Sequence, residues 1–147
     1  MRKFNFRLEK VRDTYTLREQ QSQRNFAEAA QQRDQEQQHL DEINSEIENL
    51  EAEQYSVVQS NFCIGDALIA SKFHNKLVQT KTAQNRRVET CEQIVDNRRG
   101  ELTKAMQRRQ IMDNLREKKL AEHKIATGRQ EQKELDDLVA RSRTKPR

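Results

Sequence analysis

The sequence predicts an all-α fold, an elongated antiparallel two-helix coiled-coil hairpin. Three observations carry the prediction. Gly and Pro number only three and one in 147 residues, too few to break the chain into short elements, so very long helices are implied. Apolar residues recur at steps of three and four along two stretches. They mark a narrow stripe, the seam of a coiled coil, rather than the broad face of a globular core helix. The two stretches also carry opposite net charge. With 33% hydrophobic and 35% charged residues, the chain is less apolar than a globular domain, where about half is usual. Such composition also suits disorder, but disorder lacks the periodicity seen here.

The first helix is expected over about residues 3–57. Its stripe starts at Phe4, Leu8, Val11 and Tyr15, crosses a polar middle through Glu19, Ser22, Phe26, Ala29, Arg33 and Glu36, and ends at Leu40, Ile43, Ile47, Leu50, Gln54 and Val57. An extra step of four after Tyr15 reads as a stutter. A helix of this length would extend about 80 Å at 1.5 Å per residue. One seam of this kind is not stable alone in water and needs a partner.

The pattern then breaks over YSVVQSNFCIGD, and a tip is expected at about residues 58–68. Gly65 suits the end of a helix, and Asp66 or Ser71 suits the cap of the next. The second helix is expected over about residues 69–141. Its seam runs through Phe73, Leu77, Thr80, Gln84, Val88, Cys91, Val95, Arg98, Leu102, Ala105, Arg109, Met112 and Leu115. Beyond Leu120 it thins to Ile125, Leu135 and Val139, and the terminal SRTKPR is expected to fray as a C-terminal tail. The whole chain reads as a single coiled-coil domain.

Long helices joined by a short break are antiparallel neighbours. Charge is an independent check. Residues 30–60 hold one Arg and eight Asp/Glu, a net of −7, and residues 72–110 hold ten Lys/Arg and four Asp/Glu, a net of +6. Folding back near residue 62 places Asp34 to Glu53 beside Lys72, Lys76, Lys81, Arg86 and Arg87. Each exposed pair contributes at most about 1 kcal/mol, but together they favour this register over a slipped one. A parallel homodimer would instead set the acidic segment against itself, so a monomer is expected. Residues 1–27 hold seven Lys/Arg against three Asp/Glu and meet the region of Arg108, Arg109, Lys118 and Lys119, so the end with both termini is basic.

The sequence shows no motif of catalysis. It has no glycine-rich phosphate loop, nucleophile elbow, HExxH or EF-hand spacing. His39, His74 and His123 are too far apart in the paired register to share a metal, and neither a metal nor a cofactor is expected. The chain reads as a non-enzyme, since carboxylates on a two-helix rod have no pocket to shift their pKa. No apolar run approaches the ~20 residues of a membrane span, and MRKFNFRLEK is unlike a secretory signal. Cys63 and Cys91 read as reduced thiols of a cytoplasmic protein. The doublets Arg86-Arg87, Arg98-Arg99, Arg108-Arg109 and Lys118-Lys119 could track phosphates. Without interleaved aromatics and with a net charge of only +4, they read instead as solvated faces.

Across nearly its whole length the chain resembles the flagellar export protein family FliJ. The resemblance lies in the opening FNFRLEKVRDTYTLREQQ, the degenerate tip, and the Lys/Arg-rich helix ending EKKLAEH…EQKELDDLVARSR. It implies a cytoplasmic component of the flagellar type III export apparatus, peripheral to the cell membrane. In that family an antiparallel two-helix coiled coil resembles the central stalk of rotary ATPases. It sits at the hexameric export ATPase ring, promotes its assembly, links it to the membrane export gate and helps handle export chaperones. By analogy with the stalk, the end with both termini enters the ring. Arg7, Lys10, Arg12, Lys118, Lys119 and Lys124 are the candidate ring contacts, with Leu8 and Val11 as an apolar patch or as ordinary seam residues. For the gate the resemblance points to Phe73 and Leu77, which fit the seam equally well. The competing readings are the equivalent stalk of a virulence type III secretion system and a basic scaffold associated with nucleic acid. The last predicts binding that falls steeply with salt.

Overall fold

The computed structural model describes residues 4–60 and 63–143, except the side chains of 57–60, 142 and 143. Two helices account for most of it, α1 (Glu9–Ser60) and α2 (Ile64–Arg143), paired antiparallel as a coiled-coil hairpin. Among the described residues there is no strand. Exposed Thr14, Thr80, Thr82 and Thr90 turn their hydroxyls back onto the carbonyl four residues earlier, which satisfies them within the helix.

The helix bounds differ from the sequence expectation at the start of each helix. α1 begins at Glu9 rather than near residue 3. The Phe6 carbonyl accepts from Glu9 N at 3.0 Å, and the Leu8 carbonyl opens the helical ladder by accepting from Arg12 N at 3.0 Å. The residues before the helix, Phe4 and Phe6, are half-buried and buried against α2 from outside α1. α2 begins at Ile64, earlier than expected, and Gly65 lies inside its first turn without a positive φ. Gly65 therefore ends no helix here, and Asp66 complements the positive end of the α2 dipole. Asn61 and Phe62 of the expected tip, the Val57 side chain and the last four residues of the expected tail lie outside the described residues.

The chain packs as two compact units, Ser22–Leu102 and Met1–Gln21 with Thr103–Arg147. In the first, Ile43, Ile47 and Leu77 form an apolar core cluster, flanked by Leu50. Leu40, Ala29, Val88, Cys91 and Val95 are buried along the same seam. The register is visible in three cross-helix contacts: His74 with Glu51 at 3.1 Å, Gln84 with Glu36, and Arg99 over the Phe26 ring at 6.0 Å. Those residue numbers sum to 125, 120 and 125, which agrees with a fold-back near residue 62. Among the described residues Gln84 is the most deeply buried polar one, at 3% exposure. Its amide donates to the Glu36 carbonyl at 3.0 Å and to Glu36 Oε2 at 2.6 Å, so a polar seam position becomes a register pin.

The second unit is held differently. Phe6 and Met112 are buried, but much of the inward face of α1 is charged. Arg12 Nε donates to Asp113 Oδ1 at 2.6 Å, Arg109 Nη1 to Asp113 Oδ2 at 2.6 Å, and Arg116 Nε to Glu9 Oε2 at 3.3 Å. Arg109 also donates to Glu19, which is 7% exposed. Glu9, Arg12 and Glu19 thus occupy seam-facing positions, while Leu8 and Val11 lie beside the seam at 39% and 41% exposure. A break in the regular alternation persists near the expected stutter: Tyr15 and Thr16 are both half-buried, and Arg12, Thr16, Glu19 and Ser22 follow at steps of four, three and three. Steps of three and four continue back from Glu19 through Arg12 to Glu9, because Asp113, Arg109 and Arg116 on α2 compensate the charges there.

The start of the α2 seam is shifted in the same way. His74 and Lys81 are half-buried where Phe73 and Thr80 were expected. From Gln84 to Met112 the expected positions are at least partly buried. Beyond Leu120 the inward positions are His123 and Thr127, and Ile125, Leu135 and Val139 are exposed. Charge complementarity does not resolve into the expected pairs. Among the described residues Lys72, Lys76, Lys81, Arg86 and Arg87 form no ion pair; Asp34 and Glu42 bond within α1, to Arg33 and His39, and Glu36 and Glu51 reach Gln84 and His74 instead.

Candidate functional site

Two surfaces carry the residues singled out from the sequence. The first is in the unit with both termini. The segment Phe4–Phe6 and the turn through Arg7 and Leu8 lie against α2 and leave an open groove of about 800 Å³. Phe6, Leu8, Leu115 and Ala126 give it apolar walls, and Arg7, Lys119 and Glu122 line it with charge. The Phe4 ring meets the His123 ring edge-on at 5.5 Å between centroids, a favoured aromatic geometry that orders the segment against α2.

The eight residues predicted to contact a ring partner are not equivalent here. Arg7 and Lys10 are exposed, as are Lys118, Lys119 and Lys124. Lys119 Nζ pairs with Glu122 at 2.7 Å, and this pairing holds the Glu122 carboxyl below its ordinary range. Arg12 is committed to Asp113 and, at 3.0 Å, to Glu9. The hydrogen bond to Asp113, more than any other contact, raises the Arg12 pKa, and the same bond lowers that of Asp113, with the Arg12 and Arg109 charges adding to it. Leu8 lines the groove, whereas Val11 does not.

The sequence reading missed Phe6 and His123 as walls of this groove and the network from Glu19 to Arg116. A signal existed for the former: Phe4 and Phe6 alternate with period two at the head of a helical pattern. The network had no comparable signal. Glu19 and Arg109 sit at seam positions, but only proximity shows that each compensates the other.

The second surface is the start of α2. Phe73 is 49% exposed, whereas Leu77 is 8% exposed and packed on Ile43 and Ile47. The two residues paired in the sequence reading are therefore presented differently: Phe73 outward, Leu77 into the seam. Ile64, Leu68 and Ile69 are exposed beside them. Among the described residues no group of His, Cys, Asp and Glu could hold a metal ion, and no helix is long and apolar enough to cross a membrane.

Paired antiparallel helices with an open groove and an exposed apolar helix start define an all-α coiled-coil protein. The family model described as Flagellar FliJ protein matches residues 4–146, and the chain belongs to the FliJ family. No curated protein and no solved structure matches it individually. The family is a structural stalk component of the flagellar type III export apparatus, on its cytoplasmic side, and a partner of the export ATPase and the export gate.

Proposed function

We propose that this chain is the stalk of a flagellar type III export machine: a non-enzymatic cytoplasmic monomer, free of cofactors and nucleic acid. It binds the hexameric export ATPase, promotes ring assembly and connects the ring to the membrane export gate, with export chaperones as further partners. The observation that carries the reading is the family match over residues 4–146, which spans both surfaces. A stalk must present polar flanks to several ring subunits while its own helices stay paired, and the compensated charges of the seam do this without a wide apolar face. Exposed Arg7, Lys10, Lys118, Lys119 and Lys124 supply ring contacts, with Leu8 and Val11 beside them. Arg12 supports that surface through Asp113. Phe73 supplies the gate contact, and Leu77 positions it by anchoring the start of α2.

The test is ATP hydrolysis by the purified flagellar export ATPase with and without this protein at physiological salt, with sedimentation of the same mixture. Stimulation together with hexamer formation is expected. No binding and no change in turnover would refute the stalk reading.

A further inference from the structure

The groove beside Phe6 has a chemistry that the stalk reading does not specify. Its walls are apolar and it is open, with room for more than one side chain at about 800 Å³. The charges around it are unbalanced. Glu122, the acidic lining residue, is already paired with Lys119. Arg7 in the lining and Lys118 next to it form no ion pair among the described residues. Along α2 the lining positions Lys119, Glu122 and Ala126 continue at steps of three and four into Arg129 and Lys133, and both are exposed. Steps of three and four keep to one face of a helix, so the groove is continued along α2 by two exposed basic residues before the same steps reach Asp136 and Asp137. The geometry points to an acidic protein segment that seats an apolar side chain against Phe6, Leu115 and Ala126 and sets its carboxylates against Arg7, Arg129 and Lys133. This rests on the stalk reading and makes the groove the anchor by which an acidic segment of the export ATPase is held.

Such a site divides its work. The apolar anchor, once desolvated, dominates affinity, and the basic rim sets association rate and salt dependence. The rim alone would bind any anion; the groove makes the contact specific.

The decisive variant is Ala126→Trp, which fills the groove from an exposed position and leaves the seam untouched. Ala126→Ser is its control, and Arg7→Glu reverses a lining charge that takes part in no internal ion pair. Binding of each full-length protein to the purified ATPase is measured at two salt concentrations, with helicity followed by circular dichroism. Ala126→Trp is expected to weaken binding at least about tenfold, as removal of a central anchor does. Arg7→Glu is expected to weaken it by about three- to tenfold and to reduce the salt dependence. Ala126→Ser is expected to match the wild type, and all three to keep wild-type helicity. Wild-type binding unaffected by Ala126→Trp would overturn the groove as the anchor while leaving the stalk reading in place. Loss with Ala126→Trp but no effect of Arg7→Glu or salt would overturn the acidic occupant. Self-association of the free protein that Ala126→Trp abolishes would assign the groove to a second copy and also overturn the proposal. Absence of wild-type binding would refute the stalk reading, and the inference with it.

Discussion

Leu77 and Phe73 lie four residues apart on α2, yet replacing them with alanine should have different consequences. Leu77 is 8% exposed and packs on Ile43 and Ile47, which are 4% and 9% exposed. Leu77→Ala removes three buried carbons and leaves a gap between two helices that have no third layer to fill it. Buried Leu→Ala changes cost about 2–5 kcal/mol, less where the site can collapse. A two-helix seam is bounded by solvent and can collapse in part, so about 2–3 kcal/mol is expected. At about 1.4 kcal/mol per factor of ten, local opening should become roughly 30- to 150-fold more frequent. Phe73 is already half exposed, and Phe73→Ala should cost less than about 1 kcal/mol. Amide hydrogen exchange over residues 40–50 and 74–84 reads the opening directly, since exchange from these helices requires the pair to part. Equal protection in Leu77→Ala and Phe73→Ala would refute the packing argument. The comparison also separates contact from support: Phe73→Ala should weaken gate binding with exchange unchanged, and Leu77→Ala should weaken both together.

Other perturbations test the remaining parts. Asp113 is held below its ordinary pKa of 3.8 by Arg12 and Arg109; its stabilising contribution is complete above that unfolded value and is lost as pH falls through the lower folded one. Exchange protection of residues 9–19 should therefore stay level from pH 7 to about 4 and drop below it, and Asp113→Asn should remove that step. Gln84→Leu replaces a buried amide with an apolar side chain of similar size, and urea unfolding should show a gain of about 1 kcal/mol. The cost should appear as looser register, visible as a broadened distance distribution between spin labels at residues 46 and 78. A Cβ added at Gly100 or Gly128 meets nothing within 4 Å, so each Gly→Ala change should raise thermal stability by about 0.5–1 kcal/mol.

How much of the molecule could be read from the chain follows from where the physics is local. The scarcity of Gly and Pro, the three-four spacing of apolar residues and the reversal of charge are properties of neighbours in sequence. They sufficed for the two helices, their antiparallel sense, and a fold-back near residue 62 that places Glu51 beside His74 and Arg12 beside Asp113. Helix starts were less legible. Gly65 remains in a helical turn, and Phe4 and Phe6 pack on α2 from outside the helix. Of the candidate residues, the exposed cations of the terminal unit could be read from charge, whereas the difference between Phe73 and Leu77 could not. A helical face is known from sequence only to within one position, about 100°, and at the start of α2 that single step separates the seam from the surface. The least legible part was the inward charge of α1. Glu9 and Arg12 are polar on any scale, and their place in the seam exists only because Asp113 and Arg116, about a hundred residues away, arrive opposite them. Periodicity by itself determined that the chain would be two long paired helices. Which charges are compensated inside the pair, and which remain outside to meet a partner, was decided by the tertiary structure, because a charge is tolerated in a seam only when its counter-charge is within hydrogen-bonding distance.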